Sequence, residues 1–146
     1  MEVVDFRQPI EKRMTKKANI AEEKCKQFLK NNNVYFHKFG FDCWEVPTKE
    51  FMKLPTILRN TPDFVCIGNY SFFTEAKGYK GYLKIKEEDL GSYKYWNKVM
   101  KLFFFFYDFT KQKHHFISFS DLNDKIPLAE MDTYSDNNKT YYKIRL

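Results

Sequence analysis

The apolar positions along the chain recur first with helical spacing and later with strand-like alternation or in continuous runs. Over residues 19–31 they return every three or four positions, which predicts a helix packed on one face. The apolar residues of this face are Ala21, Cys25, Phe28 and Leu29. Three consecutive asparagines are expected to end the helix, and the aromatic segment 34–39 then predicts a strand. Segment 47–55 shows no period and is expected to be an irregular connection.

The middle of the chain has the pattern of a β-hairpin. Two strand-like segments, residues 63–67 and 71–77, flank a glycine-asparagine pair that favours a tight turn. Gly78 and Gly81 are expected to interrupt the chain after this hairpin.

The second half predicts a helix followed by strands. Apolar residues at helical spacing predict a helix over residues 87–100, and the unbroken apolar run 102–107 predicts a central strand covered on both faces. A further strand, a polar loop and a short terminal strand complete the order, over residues 114–119, 132–139 and 141–144.

The length of 146 residues is that of one domain, and we expect a basic arm over residues 1–16 before a single domain over residues 17–146. The N-terminus lacks the apolar run of a signal peptide, and the longest apolar stretch is too short to cross a bilayer. We therefore expect a soluble intracellular protein without a membrane partner. The three cysteines have no CxxC spacing, which argues against a disulfide framework and a Cys-rich zinc site.

The charge balance indicates a polyanionic partner. The chain has 25 Lys and Arg residues against 19 Asp and Glu residues, a formal charge of +6, and nucleic acid is the commonest partner for such a field. Lys80, Lys84 and Lys86 alternate with tyrosines and are candidates for contacts to backbone phosphates, as is Lys94 on the predicted second helix. A solvated basic loop is the plainer interpretation of the same run.

Asp63, Glu75 and Lys77 form the group of residues that points to chemistry. Hydrolysis of a phosphodiester requires acidic oxygen ligands for a hard divalent ion and a cation beside it. Residues two apart on a strand share a face, so Glu75 and Lys77 are expected to point together. If the hairpin pairs about its turn, Asp63 lies across from Glu75. A surface ion pair on an edge hairpin is the alternative interpretation.

The sequence resembles the PD-(D/E)xK nuclease superfamily at this point. Pro62-Asp63 is followed, after eleven residues, by Glu75-Ala76-Lys77, and the resemblance spans residues 18–107. It implies a restriction-endonuclease-like α/β fold with a mixed central sheet flanked by helices. It also implies that Asp63 and Glu75 bind Mg²⁺, for which Mn²⁺ would substitute. The Ala76 carbonyl would be a further ligand, and Lys77 would lie next to the hydrolytic water.

Many members of that superfamily also place a glutamate of the first helix near the metal, and the chain offers Glu22 and Glu23. At 100° per residue, Glu22 falls on the border of the apolar face while Glu23 points nearly opposite it. Helix phase therefore favours Glu22. The other interpretation is that both are solvated charges that pair with Lys26 and Lys30.

The function implied is that of a metal-dependent endonuclease acting on DNA. The small size without a specificity insert resembles Holliday-junction resolvases and small virus-type nuclease modules, for which branched DNA is a typical substrate. RNA, single strands and duplex sites stay open, and a two-fold dimer would be the simplest assembly for cutting both strands. The alternative is a non-catalytic nucleic-acid-binding module that retains the fold. An interaction protein from a virus or mobile element is a third interpretation, suggested only by the Lys, Asn, Phe and Tyr bias.

Overall fold

A five-stranded mixed sheet with helices on its faces contains the predicted hairpin at its centre. The computed structural model describes residues 10–41 and 48–146. The helices are α1 (Ile10–Asn31), α2 (Thr48–Met52), α3 (Thr56–Arg59), α4 (Glu87–Val99) and α5 (Phe119–Lys125). The strands are β1 (Tyr35–Lys38), β2 (Phe64–Ile67), β3 (Ser71–Tyr79), β4 (Leu83–Lys86), β5 (Leu102–Asp108), β6 (Lys113–Ser118), β7 (Glu130–Thr133) and β8 (Thr140–Ile144). This architecture confirms the expected α/β class with a mixed central sheet between helices.

The strand order explains how the chain covers both faces of the sheet. Strands follow the order β1-β2-β3-β5-β6, in which β3 and β5 run parallel and the other neighbouring pairs antiparallel. A parallel pair requires a crossover connection, which here consists of β4 and α4. β4 also joins a three-stranded antiparallel sheet of order β4-β8-β7. The inner side chains of this second sheet pack in the same cluster as those of α4.

The apolar run of the sequence forms β5, whose side chains alternate between two hydrophobic clusters. Phe104 and Phe106 pack with Tyr93 of α4 on one side of the sheet. Phe105 and Tyr107 pack on the other side, in the cluster that contains the predicted buried face of α1. Because both faces of the strand are covered, the segment shows no polar alternation. The prediction of a central, doubly covered strand is confirmed.

Helix α1 is longer at its N-terminus than the period predicted. It begins at Ile10 rather than near Asn19, so it includes part of the segment expected to be a basic arm, and residues 1–9 lie outside the described residues. Its C-terminus falls at the asparagines as predicted. Asn33 takes a left-handed φ of 58°, which asparagine tolerates better than most residues, and the Asn32 side chain donates to the Phe28 carbonyl at 2.8 Å.

Several short elements differ from the sequence predictions. The expected irregular connection over residues 47–55 contains α2, and the expected loop over residues 132–139 begins inside β7. All four residues of β7 are exposed, so no burial period marks the strand. The strand predicted over residues 114–119 ends at Ser118, whose hydroxyl caps α5 by accepting from the Asp121 amide at 3.1 Å.

The described helices include none that combines the length and the apolar composition needed to cross a bilayer.

The two glycines after the hairpin have different roles. Gly81 has a φ of +80°, a backbone conformation that favours glycine. The expected break is confirmed there. Gly78 lies within β3 and does not interrupt it. A Cβ atom at this position would overlap the ring of Phe109, so glycine is required by close packing rather than by a turn.

We expect Gly78→Ala to lower the free energy of unfolding by about 1–3 kcal/mol, because the Phe109 ring must move out of its packed position. Gly91→Ala is the matched control. Nothing lies within 4 Å of a Cβ at Gly91, and alanine is preferred in a helix by about 1 kcal/mol. Denaturant unfolding should therefore give opposite signs for the two variants, and equal stability of Gly78→Ala and the wild type would contradict the packing role.

Candidate active site

The site begins where β2 stops short of its partner strand. β2 begins at Phe64, opposite Thr74, whereas β3 continues to Tyr79. Within the described part of the chain, the Ala76 amide therefore faces this edge without a strand partner. The Asp63 side chain takes its place, since its Oδ2 accepts from the Ala76 amide at 2.8 Å. The buried Asp63 carboxylate is thus fixed to the peptide unit between Glu75 and Ala76.

The second carboxylate oxygen of Asp63 belongs to an ion-pair group that crosses three elements. Lys38 Nζ, at the end of β1, lies 3.3 Å from Asp63 Oδ1 and 3.0 Å from Oε1 of Glu22 on α1. The side chains of Asp63, Glu22 and Lys38 are 2%, 16% and 30% exposed, so the acids are more buried than the lysine. Glu23, by contrast, is 65% exposed and pairs with Lys26 on the helix surface. The structure therefore orients Glu22 toward Asp63 and Glu23 toward solvent.

Lys38 is the residue of this site that the sequence analysis missed. A signal for it was present in strand parity, because Phe36 and Lys38 share the half-buried face of β1 while Tyr35 and His37 are exposed. The Phe36 ring packs on the Phe64 ring, and Lys38 Nζ lies 5.5 Å from the centre of the same ring. A lysine on the inner face of a strand needs an acidic partner nearby.

Glu75 and Lys77 lie on the same face of β3, on the side of α4. Glu75 is buried, and Lys77 Nζ lies 5.8 Å from the centre of the Tyr93 ring. Tyr93 packs edge-on against Phe104 in the core, and its hydroxyl is buried. Burial raises the pKa of Tyr93, which therefore remains a neutral phenol at pH 7.

Lys77 is held in its charged form. Its pKa lies above the usual range because of its coupling to Tyr93, with Glu75 and Asp89 adding to the rise and burial opposing it. A raised lysine pKa means that the ammonium is kept throughout neutral and mildly alkaline pH. Lys77 is therefore suited to stabilising or orienting negative groups and not to removing a proton.

The buried thiol of Cys25 is affected by the charges of the three acids. Burial raises the pKa of Cys25, and Asp63, Glu22 and Glu75 each raise it further. One atom on the inner face of α1 is thus within electrostatic reach of all three carboxylates. Of the three acids, Glu22 and Asp63, which are 41 positions apart in the chain, contact the same Lys38 ammonium.

The lysines predicted to contact nucleic acid lie outside this cluster. Lys80, Lys84 and Lys94 are exposed and Lys86 is partly buried. On the outer face of the second sheet, Lys84 Nζ lies 5.4 Å from the centre of the Tyr134 ring and Lys86 Nζ lies 6.0 Å from it. The pKa of Tyr134 is raised, first by burial, and the charges of Lys77 and Asp89 also act on it. Lys84 and Lys86 therefore share the Tyr134 ring as a neighbour.

The donor set suits a hard divalent ion. Carboxylate oxygens from Asp63, Glu75 and Glu22 are ligands that Mg²⁺ prefers. The N–H and C=O of one strand residue point to the same neighbour, so the Ala76 carbonyl faces the Asp63 edge with its amide. Among the side chains described, those of residues 20–41 and 49–146, no group of three or more His, Cys, Asp and Glu is arranged to hold a metal ion. The Lys38 ammonium lies between two of the acids instead.

Comparisons with known proteins give a weak structural likeness. No family model matches the chain, and no curated protein matches it. Among solved structures, D212, a nuclease from a fusselovirus, is similar with a TM-score of 0.46 and 12% identity. The similarity covers 96% of this chain and 86% of that chain. A likeness of this size does not assign an activity, so the assignment depends on the residues of the chain itself.

We expect Asp63→Ala to be less stable than Asp63→Asn by about 1–3 kcal/mol, the cost of leaving the buried Ala76 amide without an acceptor. Both variants remove the charge that faces Lys38, so their difference isolates the hydrogen bond. Urea unfolding of the two proteins measures it. Equal stabilities would mean that another group accepts from Ala76 and that Asp63 has no structural role.

Proposed function

We propose that this protein is a Mg²⁺-dependent endonuclease that hydrolyses phosphodiester bonds in DNA. The observation that supports the proposal most strongly is the hydrogen bond from the Ala76 amide to Asp63. It ties one carboxylate to the peptide unit between Glu75 and Ala76, next to the strand face that carries the second carboxylate and the Lys77 ammonium. Fixed oxygen ligands beside a fixed cation are what phosphodiester hydrolysis requires.

Each residue of the site has a separate task in this proposal. Asp63 and Glu75 would hold the metal ion, with Glu22 and the Ala76 carbonyl as further ligands. When bound, Mg²⁺ polarises the phosphodiester and lowers the pKa of a coordinated water. Lys77, which keeps its proton, donates a hydrogen bond to the attacking water or to a phosphate oxygen and stabilises the charge that builds there.

The outer face of the second sheet supplies a path for the nucleic acid. We call it the lysine–tyrosine face, and it consists of Tyr82, Lys84, Lys86, Tyr134, Tyr141 and Lys143. Lys84 Nζ lies 5.0 to 5.8 Å from the centres of the three tyrosine rings. Lysines neutralise backbone phosphates, and aromatic rings stack on unpaired bases. The Lys77 charge acts on Tyr134 of this face, so a strand lying on the face would pass within the electrostatic field of the site.

A non-catalytic binding module is the second candidate, and a specific observation favours it. The Lys38 ammonium lies between Asp63 and Glu22, where it satisfies the acids without a metal. A protein that only binds nucleic acid would retain this ion-pair group permanently. Binding without a metal requirement and without turnover on any substrate would identify this function.

We expect Glu75→Gln and Lys77→Met to lower the cleavage rate by at least about 10²-fold while nucleic-acid binding survives, because each removes a charge that acts on the reacting phosphate. The assay uses a panel of labelled branched, flapped, single-stranded and duplex DNA together with RNA, in Mg²⁺, Mn²⁺ or chelator. Glu23→Gln and Lys26→Met are the matched controls, since they change the same charges on the exposed side of α1. Full cleavage by both site variants would contradict the proposal.

We expect Lys84→Ala combined with Lys86→Ala to weaken binding and to reduce the salt dependence, with a change of about 2 in the slope of log K against log salt. The measurement is made in the Glu75→Gln background so that the substrate is not cut. Lys98→Ala combined with Lys101→Ala is the control, because it removes two exposed charges and Lys101 also lies on aromatic rings. An equal loss of affinity in both pairs would mean that binding depends on net charge and not on this face.

A further inference from the structure

The Lys38 ammonium lies between two acids of the site, in the position that a metal ion would occupy. Its Nζ is 3.0 Å from Glu22 Oε1 and 3.3 Å from Asp63 Oδ1. Asp63 cannot turn away from this contact, since its other oxygen is bonded to the Ala76 amide. The two carboxylates therefore both present an oxygen to the Lys38 ammonium.

Burial makes this positive charge necessary. Asp63 is 2% exposed and Glu22 is 16% exposed, so water offers them little solvation, and two neighbouring carboxylates repel each other more strongly in such surroundings. Without a cation between them, this repulsion would push the two carboxylates apart. Lys38 supplies the charge in the protein without metal.

Lys38 is also able to leave. Its side chain is 30% exposed, and its charge is at the end of four flexible methylene groups that reach the acids from the last residue of β1. An ammonium and a divalent ion compete for the same oxygens, and the divalent ion brings twice the charge. Withdrawal of one flexible side chain would open the space without any change in the sheet.

We propose that Lys38 is a displaceable counterion of the metal site. It holds Glu22 and Asp63 in place while the metal is absent, and it moves into solvent when a divalent ion binds. The inference rests on the proposed function, because it assumes that these acids bind metal. The ammonium occupies the space between these two acids. Lys38 thereby raises the concentration of metal that the protein needs.

The test compares Mn²⁺ binding by calorimetry in the wild type and in Lys38→Met. Removing the competing charge should make Mn²⁺ bind at least about tenfold more tightly, whereas Lys38→Arg should stay near the wild type. Lys26→Met is the control, since it breaks the ion pair with Glu23, which lies on α1 as Glu22 does but outside the site. Mn²⁺ should also raise the melting temperature of Lys38→Met more than that of the wild type. Unchanged or weaker Mn²⁺ binding by Lys38→Met would overturn the proposal.

A second measurement uses the unaltered protein, in case Lys38→Met folds poorly in chelator. Acetylation of lysines, followed by mass spectrometry, should modify Lys38 faster in Mn²⁺ than in chelator, while Lys26 changes little. Equal modification of Lys38 in both conditions would overturn the proposal, and so would the absence of Mn²⁺ binding by either protein. Tighter Mn²⁺ binding by Lys38→Met without cleavage of any substrate would support the counterion and refute the nuclease.

Discussion

The hydrogen bond from the Ala76 amide to the Asp63 carboxylate is the interaction on which the site depends. A buried edge amide needs an acceptor, and a buried carboxylate needs donors and positive charge. Each group here satisfies part of the need of the other. Because β2 begins only at Phe64, the edge of β3 beyond that point is open to a side chain. Because β2 is short, β3 lacks a strand contact there, and the Asp63 carboxylate takes a fixed position beside Glu75 and Lys77.

The local part of this arrangement was predictable from the sequence. The turn at Gly68 sets the hairpin register, and the two-residue period puts Glu75 and Lys77 on one face of β3. The helical period likewise distinguished Glu22 from Glu23. The direction in which a side chain points from the axis of α1 follows from its place in the 3.6-residue period. Such predictions succeed because each relation spans a few residues and follows from backbone geometry alone.

The remaining features depend on contacts that no local period records. Lys38 meets Asp63 across 25 positions, and only the pairing of β1 with β2 brings them together. β7 forms at the edge of the second sheet although all its residues are exposed, so it has no hydrophobic pattern to recognise. Gly78 has the appearance of a break, yet it lies within β3 because the Phe109 ring fills the space above it. In each case tertiary packing decides what the local sequence leaves open.

The two lysines near the acids differ in ways that suit them to different tasks. Lys77 lies against the buried Tyr93 ring, and its raised pKa keeps it charged in a fixed place. Lys38 is held mainly by two carboxylates and keeps nearly a third of its side chain in solvent. If both lysines were fixed, their charges would repel an incoming metal ion, and if both were mobile, no cation would remain to orient the attacking water. In the proposed nuclease, a fixed lysine beside a displaceable one would allow metal to enter while a positive charge stays at the reacting phosphate.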